Sequence, residues 1–212
     1  SNSSINLLIL IDLVFIILAD NNIESIIECY LGLSISITTL DPGILGALYL
    51  SEKRVEINTD ILPDNDKRCT GIFNFTLGHE GGHYVLHAPL LEASAQNVIC
   101  RKNEDYLDRE WQANFFASSL LMPRDLFIKA FNDRYPESIY RDGERLLIKC
   151  VSDKKYCLKI QFKRKNLSED TILDEVFEGL AQQFSVSPRA AVIRLKHLGL
   201  LRFRENNQKI AS

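Results

Sequence analysis

Residues 79–83 read His-Glu-Gly-Gly-His, two histidines four positions apart with a glutamate directly after the first. On a helix, positions i and i+4 lie on one face a turn apart. His79 and His83 can therefore hold one Zn²⁺ from the same side. Glu80 projects beside them and can take a proton from a water that the metal acidifies. Residues 72–78 are mostly apolar, which suits a buried helix that carries the motif into a cleft. The pentapeptide is short enough to arise by chance, but three of the chain's four histidines (His79, His83, His87 and His197) fall within nine residues.

A zinc that catalyses needs three protein ligands and one open position. Residues 110–123 (EWQANFFASSLLMP) offer the third. Trp111, Phe115, Leu121 and Met122 recur at helical spacing and Pro123 marks the stop. Glu110 and Asn114 fall one turn apart on one side, so His79, His83 and Glu110 make a His₂Glu set. His87 is a rival. At i+8 from His79 it lies about 12 Å along a straight helix axis, too far for one ion to take residues 79, 83 and 87 from an unbroken helix. Its expected role is structural, or that of an outer donor near a helix end at Pro89. Asp105 and Asp108 read as solvated loop acids.

Residues 75–87 (FTLGHEGGHYVLH) followed by residues 110–123 closely resemble the ImmA/IrrE family of metallopeptidases, whose pattern is H-E-x-x-H, then E-x-x-A-N-x-F-A ending near L-M-P. Residues 47–62 resemble the strand pair before the motif helix, and residues 180–200 the family's C-terminal segment. About 150 of the 212 residues are covered, with gaps. The resemblance implies that His79, His83 and Glu110 are zinc ligands and that Glu80 is the general base. It also implies that the substrate is a protein, namely a helix-turn-helix transcriptional repressor, in a bacterial mobile element or stress circuit. Gly81 departs from the bulkier residue expected between the histidines. Two adjacent glycines cost roughly 1 kcal/mol each in a helix interior relative to alanine, unless they let another backbone pack close. Tyr84, Tyr106 and His87 remain open as donors to a developing oxyanion.

The elements that must position these groups are legible in outline. Residues 22–31 read as a helix with Ile23, Ile26, Ile27 and Tyr30 on one side. Residues 47–50 and 55–58 alternate around Ser51-Glu52-Lys53-Arg54 and predict a β-hairpin. One of its edges should lie open beside the cleft, where an extended substrate can add as a strand. Helices are expected over 74–87 and 106–121, with a short one starting near Pro123. A second hairpin is expected from 146–151 and 156–162, with Tyr156, Leu158, Ile160 and Phe162 on one face. Helices over 171–184 and 188–198 close the chain. The fold class is therefore α+β: a zincin-like helical core with the H-E-x-x-H helix and a small sheet, then a C-terminal β-hairpin and helical segment. The expected domains are an apolar segment over 1–20, the metallopeptidase core over 21–135, and the hairpin with its helix pair packed on the core over 136–212.

Composition agrees with an enzyme that has a real core: 46% of residues are hydrophobic. Five cysteines without a C-x-x-C pair argue against a disulfide framework and for a reducing, cytoplasmic compartment. Residues 5–19 are very apolar, but the run is short for a spanning helix and has Asp12 at its centre. No basic stretch precedes it, so neither a signal peptide nor a membrane span is expected.

Residues 1–140 hold 10 Lys/Arg against 19 Asp/Glu, and residues 141–212 hold 15 against 9. The basic end raises a DNA-binding reading through Arg189, Arg194 and Lys196. Ala190, Ala191, Ile193, Leu195 and Leu198 leave few positions for base contacts, so direct DNA binding is not expected. The basic hairpin over 145–165 reads as a solvated face or a docking surface for an acidic partner. Two other classes stand beside the peptidase: a DNA-binding or sensory regulator with an unused metal site, and a toxin-like partner-binding module. Glu80 weighs against both, because a structural zinc needs no base. Glu110→Ala should weaken zinc binding and His87→Ala should not, as measured by metal content after dialysis.

Overall fold

Asn22 caps a short helix, α1 (Ile23–Ser25), its side chain accepting from the Glu24 amide at 3.0 Å. The computed structural model describes residues 22–63, 67–92, 104–135, 139–141, 145–152, 155–162 and 168–201. The apolar run over 5–19 lies outside the described residues. Those up to Pro123, with Phe184–Ser187, form one compact unit, and those of Arg124–Gln183 and from Pro188 onward form a second.

In the first unit, α1 runs into a π-helical turn (Ile26–Tyr30). Ile23, Ile26 and Ile27 are buried as expected, but Tyr30 is 56% exposed. The wider π-turn rotates Tyr30 off the stripe that a regular 3.6-residue period would give it. Gly32, at φ 65°, then turns the chain into β1 (Ser34–Thr38). β2 (Gly46–Tyr49) and β3 (Arg54–Asn58) form the expected hairpin. The sheet order is β1-β3-β2, with β1 parallel and β2 antiparallel to β3. Val55 and Ile57 of the central strand are fully buried. Arg54 on the other face pairs with Glu52 and Glu56 and lies over the Tyr49 ring. Asn58 is buried rather than solvated. Its Nδ2 donates to the Ile44 carbonyl at 2.8 Å and its Oδ1 accepts from the Asp60 amide.

The motif helix, α2 (Lys67–Glu92), is longer than expected at both ends and continues past Pro89. Phe73, Leu77, Glu80, His83, His87 and Ala88 are buried on one broad face, and Gly78 and Gly82 are buried on another, as in a helix enclosed by its neighbours. One neighbour is α3 (Glu104–Leu121). Asp105 and Asp108 stand on this helix and not in a loop, with Asp108 exposed. The face that α3 buries differs from the expected one. Trp111 and Phe115 stack on each other at 5.4 Å and are 59% and 44% exposed, while Ala113, Phe116, Ala117 and Leu120 face inward.

Small residues face each other because the two helices approach closely. A Cβ on Gly82 would lie 3.1 Å from the Ala113 backbone, and one on Gly78 would lie 3.3 Å from the Ala117 Cβ. On another side, a Cβ on Gly81 would lie 2.8 Å from Ile27 Cδ1. The glycine pair thus serves close packing on two fronts.

The second unit opens with α4 (Arg124–Arg134), which buries Phe127, Ala130 and Phe131. A three-stranded antiparallel meander follows, β4 (Ile139–Arg141), β5 (Arg145–Ser152) and β6 (Lys155–Phe162), in that order. The second hairpin is as expected, with β4 added; the side chains of its strands, including the expected Tyr156–Phe162 face and basic patch, lie outside the described residues. Helices α5 (Glu169–Gln183) and α6 (Pro188–His197) complete the unit. Phe131, Tyr135 and Phe177 form an aromatic cluster, and the Tyr135 hydroxyl donates to the Val176 carbonyl at 2.8 Å.

Replacing Gly82 by alanine sets two effects against each other. Helix propensity improves by about 1 kcal/mol, while overpacking costs about 1–3 kcal/mol. The backbone contact decides for the second, and Gly82→Ala is expected to lose about 1 kcal/mol net. A urea midpoint at or above wild type would contradict it.

Candidate metal centre

The uninterrupted α2 helix sets His79 and His83 one turn apart, and α3 brings Glu110 to both. The two Nε2 atoms lie 3.0 Å apart, His79 Nε2 lies 3.3 Å from Glu110 Oε2, and His83 Nε2 lies 3.0 Å from Glu110 Oε1. Zinc bonds of about 2.0–2.1 Å at tetrahedral angles place ligand atoms about 3.3–3.4 Å apart. Three donors, two imidazole nitrogens and one carboxylate, thus already stand near the spacing that one ion needs. His87 is outside this set.

Each group around the site is held. His79 Nδ1 lies 3.0 Å from Asn114 Oδ1, one turn beyond Glu110 on α3. Burial lowers the affinity of His79 for a proton, but its bond to Glu110, the charges of Glu80 and Glu110 and the bond to Asn114 outweigh burial and raise its pKa. Burial would raise the pKa of Glu110. The bonds and charges of His79 and His83 reverse that and hold it at about 2, so Glu110 is a carboxylate at neutral pH. Glu80 is buried, and burial pushes its pKa up; the two histidines pull it down and Glu110 adds to the rise, leaving it above the ordinary glutamate value. A carboxyl placed this way holds a proton more readily than a solvated one, as a group that takes and returns a proton must.

These residues form the floor of a cleft of about 400 Å³, together with Phe75, Thr76 and Asn114. The opposite wall is residues 43–46, which the sequence reading did not single out. The available signal was Gly46, since glycine in a strand often marks a close approach of backbone or ligand. A Cβ there would lie 2.6 Å from Thr76 Cγ2 and 3.2 Å from Glu80 Oε1. Asn58 clamps this wall, its Nδ2 on the Ile44 carbonyl and its amide on the Leu45 carbonyl at 2.9 Å.

β2 is also an edge strand of its sheet among the described residues, as is β1 on the far side of β3, and β2 is the edge beside the cleft. Asn58 bonds to Leu45, so hydrogen-bonded pairs alternate from there. By that alternation the main-chain groups of Gly46 and Leu48 point to the open edge. Tyr84 does not line the cleft, and both ring nitrogens of His87 are engaged elsewhere, so neither faces an oxyanion there. The Tyr106 side chain lies outside the described residues.

The family model described as the IrrE N-terminal-like domain (Peptidase_M78) matches residues 49–139. No curated protein matches the chain. Among solved structures, a Mycobacterium tuberculosis transcriptional regulator is similar at 14% identity and a TM-score of 0.47, over 82% of this chain and 40% of that one. The chain thus spans 40% of that regulator's length. The family match runs from the last residue of β2, through both helices that meet at the cleft, to the start of β4, and over this span the chain is similar to the IrrE N-terminal-like domain.

Proposed function

We propose that this chain is a zinc-dependent endopeptidase of the ImmA/IrrE type that cuts a helix-turn-helix transcriptional repressor supplied as a separate protein. The observation that carries the reading is the convergence of His79, His83 and Glu110 at the floor of one cleft with the buried carboxyl of Glu80. His79, His83 and Glu110 would hold the metal. Zinc, when bound, supplies Lewis-acid polarisation of a peptide carbonyl and brings the pKa of a water toward about 7. Glu80 takes the water's proton at its carboxylate and then passes it to the leaving amine. The outward main-chain groups of Gly46 and Leu48 pair with an extended substrate, which cannot hide its carbonyls in helical hydrogen bonds.

Cys29 and Cys69 are free thiols, in keeping with a reducing compartment and a cytoplasmic setting in a bacterial mobile element or stress circuit. No helix among the described residues is long and apolar enough to cross a membrane. The DNA-binding reading loses support at α6, where Arg189 pairs with Asp170 and Asp174 and Arg194 is only 4% exposed.

Two variants test the reading when incubated with the repressor encoded beside this chain. Glu80→Gln should keep zinc and lose cleavage by about 10²–10⁴-fold, because an amide cannot accept the proton. Undiminished cleavage by the zinc-loaded Gln variant removes Glu80 from the mechanism. Gly46→Ala should keep zinc but lower kcat/KM, because the added methyl meets Thr76 and the Glu80 carboxylate. Wild-type kinetics would mean that β2 does not form the wall of the working cleft.

A further inference from the structure

His87 recurs one turn beyond His83 on the same unbroken helix, and its two ring nitrogens make two bonds. Nδ1 lies 3.0 Å from His83 Nδ1, and Nε2 lies 3.0 Å from Oε1 of Gln112 on α3. His83 and His87 are each only 2% exposed, so no solvent competes for these bonds, while Gln112 closes the series at the surface.

The direction of the bonds follows from what each atom can do. An amide oxygen only accepts, so His87 must carry a proton on Nε2 to satisfy Gln112. Its Nδ1 is then an acceptor and takes a proton from His83 Nδ1. With a cation at the site, His83 then presents a lone pair on Nε2, the atom that otherwise bonds to Glu110. The opposite assignment puts the lone pair of His87 Nε2 against Gln112 Oε1, two acceptors at 3.0 Å. It also places the His83 proton on the nitrogen that a cation needs.

We propose that His87 and Gln112 are positioning residues that fix the ring orientation and tautomer of His83, so that its Nε2 is presented to the metal. The proposal rests on the zinc-site reading above. It revises the expectation that loss of His87 leaves metal binding intact: a group in contact with His83 on the side away from the metal tunes the ligand without being one. Neither residue is a fixed position of the H-E-x-x-H or E-x-x-A-N-x-F-A patterns.

Zinc competition titrations on the full chain test it, with Glu110→Ala as the control for the site itself. His87→Leu should bind zinc about 10–100-fold more weakly than wild type, and Gln112→Leu, at an exposed position, about 10-fold more weakly. His87→Asn places a neutral acceptor where Nδ1 stands and should recover much of the loss, which a purely space-filling role would not. In the zinc-loaded wild type, ¹⁵N imidazole spectra should show His87 protonated at Nε2 and His83 at Nδ1. In Gln112→Leu the His87 preference should weaken.

Wild-type affinity in His87→Leu and Gln112→Leu, with Glu110→Ala weakened, overturns the relay and leaves the zinc site standing. A His87 proton on Nδ1 in the loaded protein overturns the relay as well. Wild-type affinity in Glu110→Ala overturns the zinc site, and the relay with it.

Discussion

Two helices bearing large side chains keep their axes about 8–10 Å apart. Where a shared ion must be reached from both by short side chains, the contact has to be built from residues with almost no side chain. Gly78 and Gly82 on α2 face Ala117 and Ala113 on α3, and the Gly82 contact is with main chain. That approach carries Glu110 to within 3.3 Å of both motif histidines and puts Asn114 and Gln112 behind His79 and His87. The helix propensity lost at these glycines, about 1 kcal/mol each, is offset by packing that only glycine permits.

The same economy of volume recurs across the cleft. Gly46 begins β2 where a methyl would meet Thr76 and the Glu80 carboxyl. Asn58, buried at the end of β3, holds the wall in place through two carbonyls. Glu80 is thereby enclosed between helix and strand, and enclosure is the largest cause of its raised pKa. The site's geometry and the proton affinity of its carboxyl therefore share one origin in close packing around small residues.

Much of this was legible in the sequence because the chemistry is local. Histidines four apart on a helix must share a face, and Glu110 with Asn114 follows the same rule on α3. What could not be read is what depends on partners distant in the chain. Trp111 and Phe115 looked like core by size, but the face of α3 that meets α2 is chosen by the glycines opposite, so Ala113 and Ala117 face inward. Tyr30 left its stripe because a π-turn changes the period. β1 went unnoticed because an edge strand with Ile37 half exposed has no strong apolar alternation. Nothing local to Asn58 announces that its side-chain amide bonds to the Ile44 carbonyl, fourteen residues away.

The central claim is that one zinc is held by two imidazoles and one carboxylate, with His87 outside its ligands. Zinc K-edge X-ray absorption on the loaded full chain tests this most directly. The account predicts one zinc per chain in an all-nitrogen-and-oxygen shell, with two imidazoles at about 2.0–2.1 Å and no sulfur. A third imidazole, or any sulfur at about 2.3 Å, would contradict it.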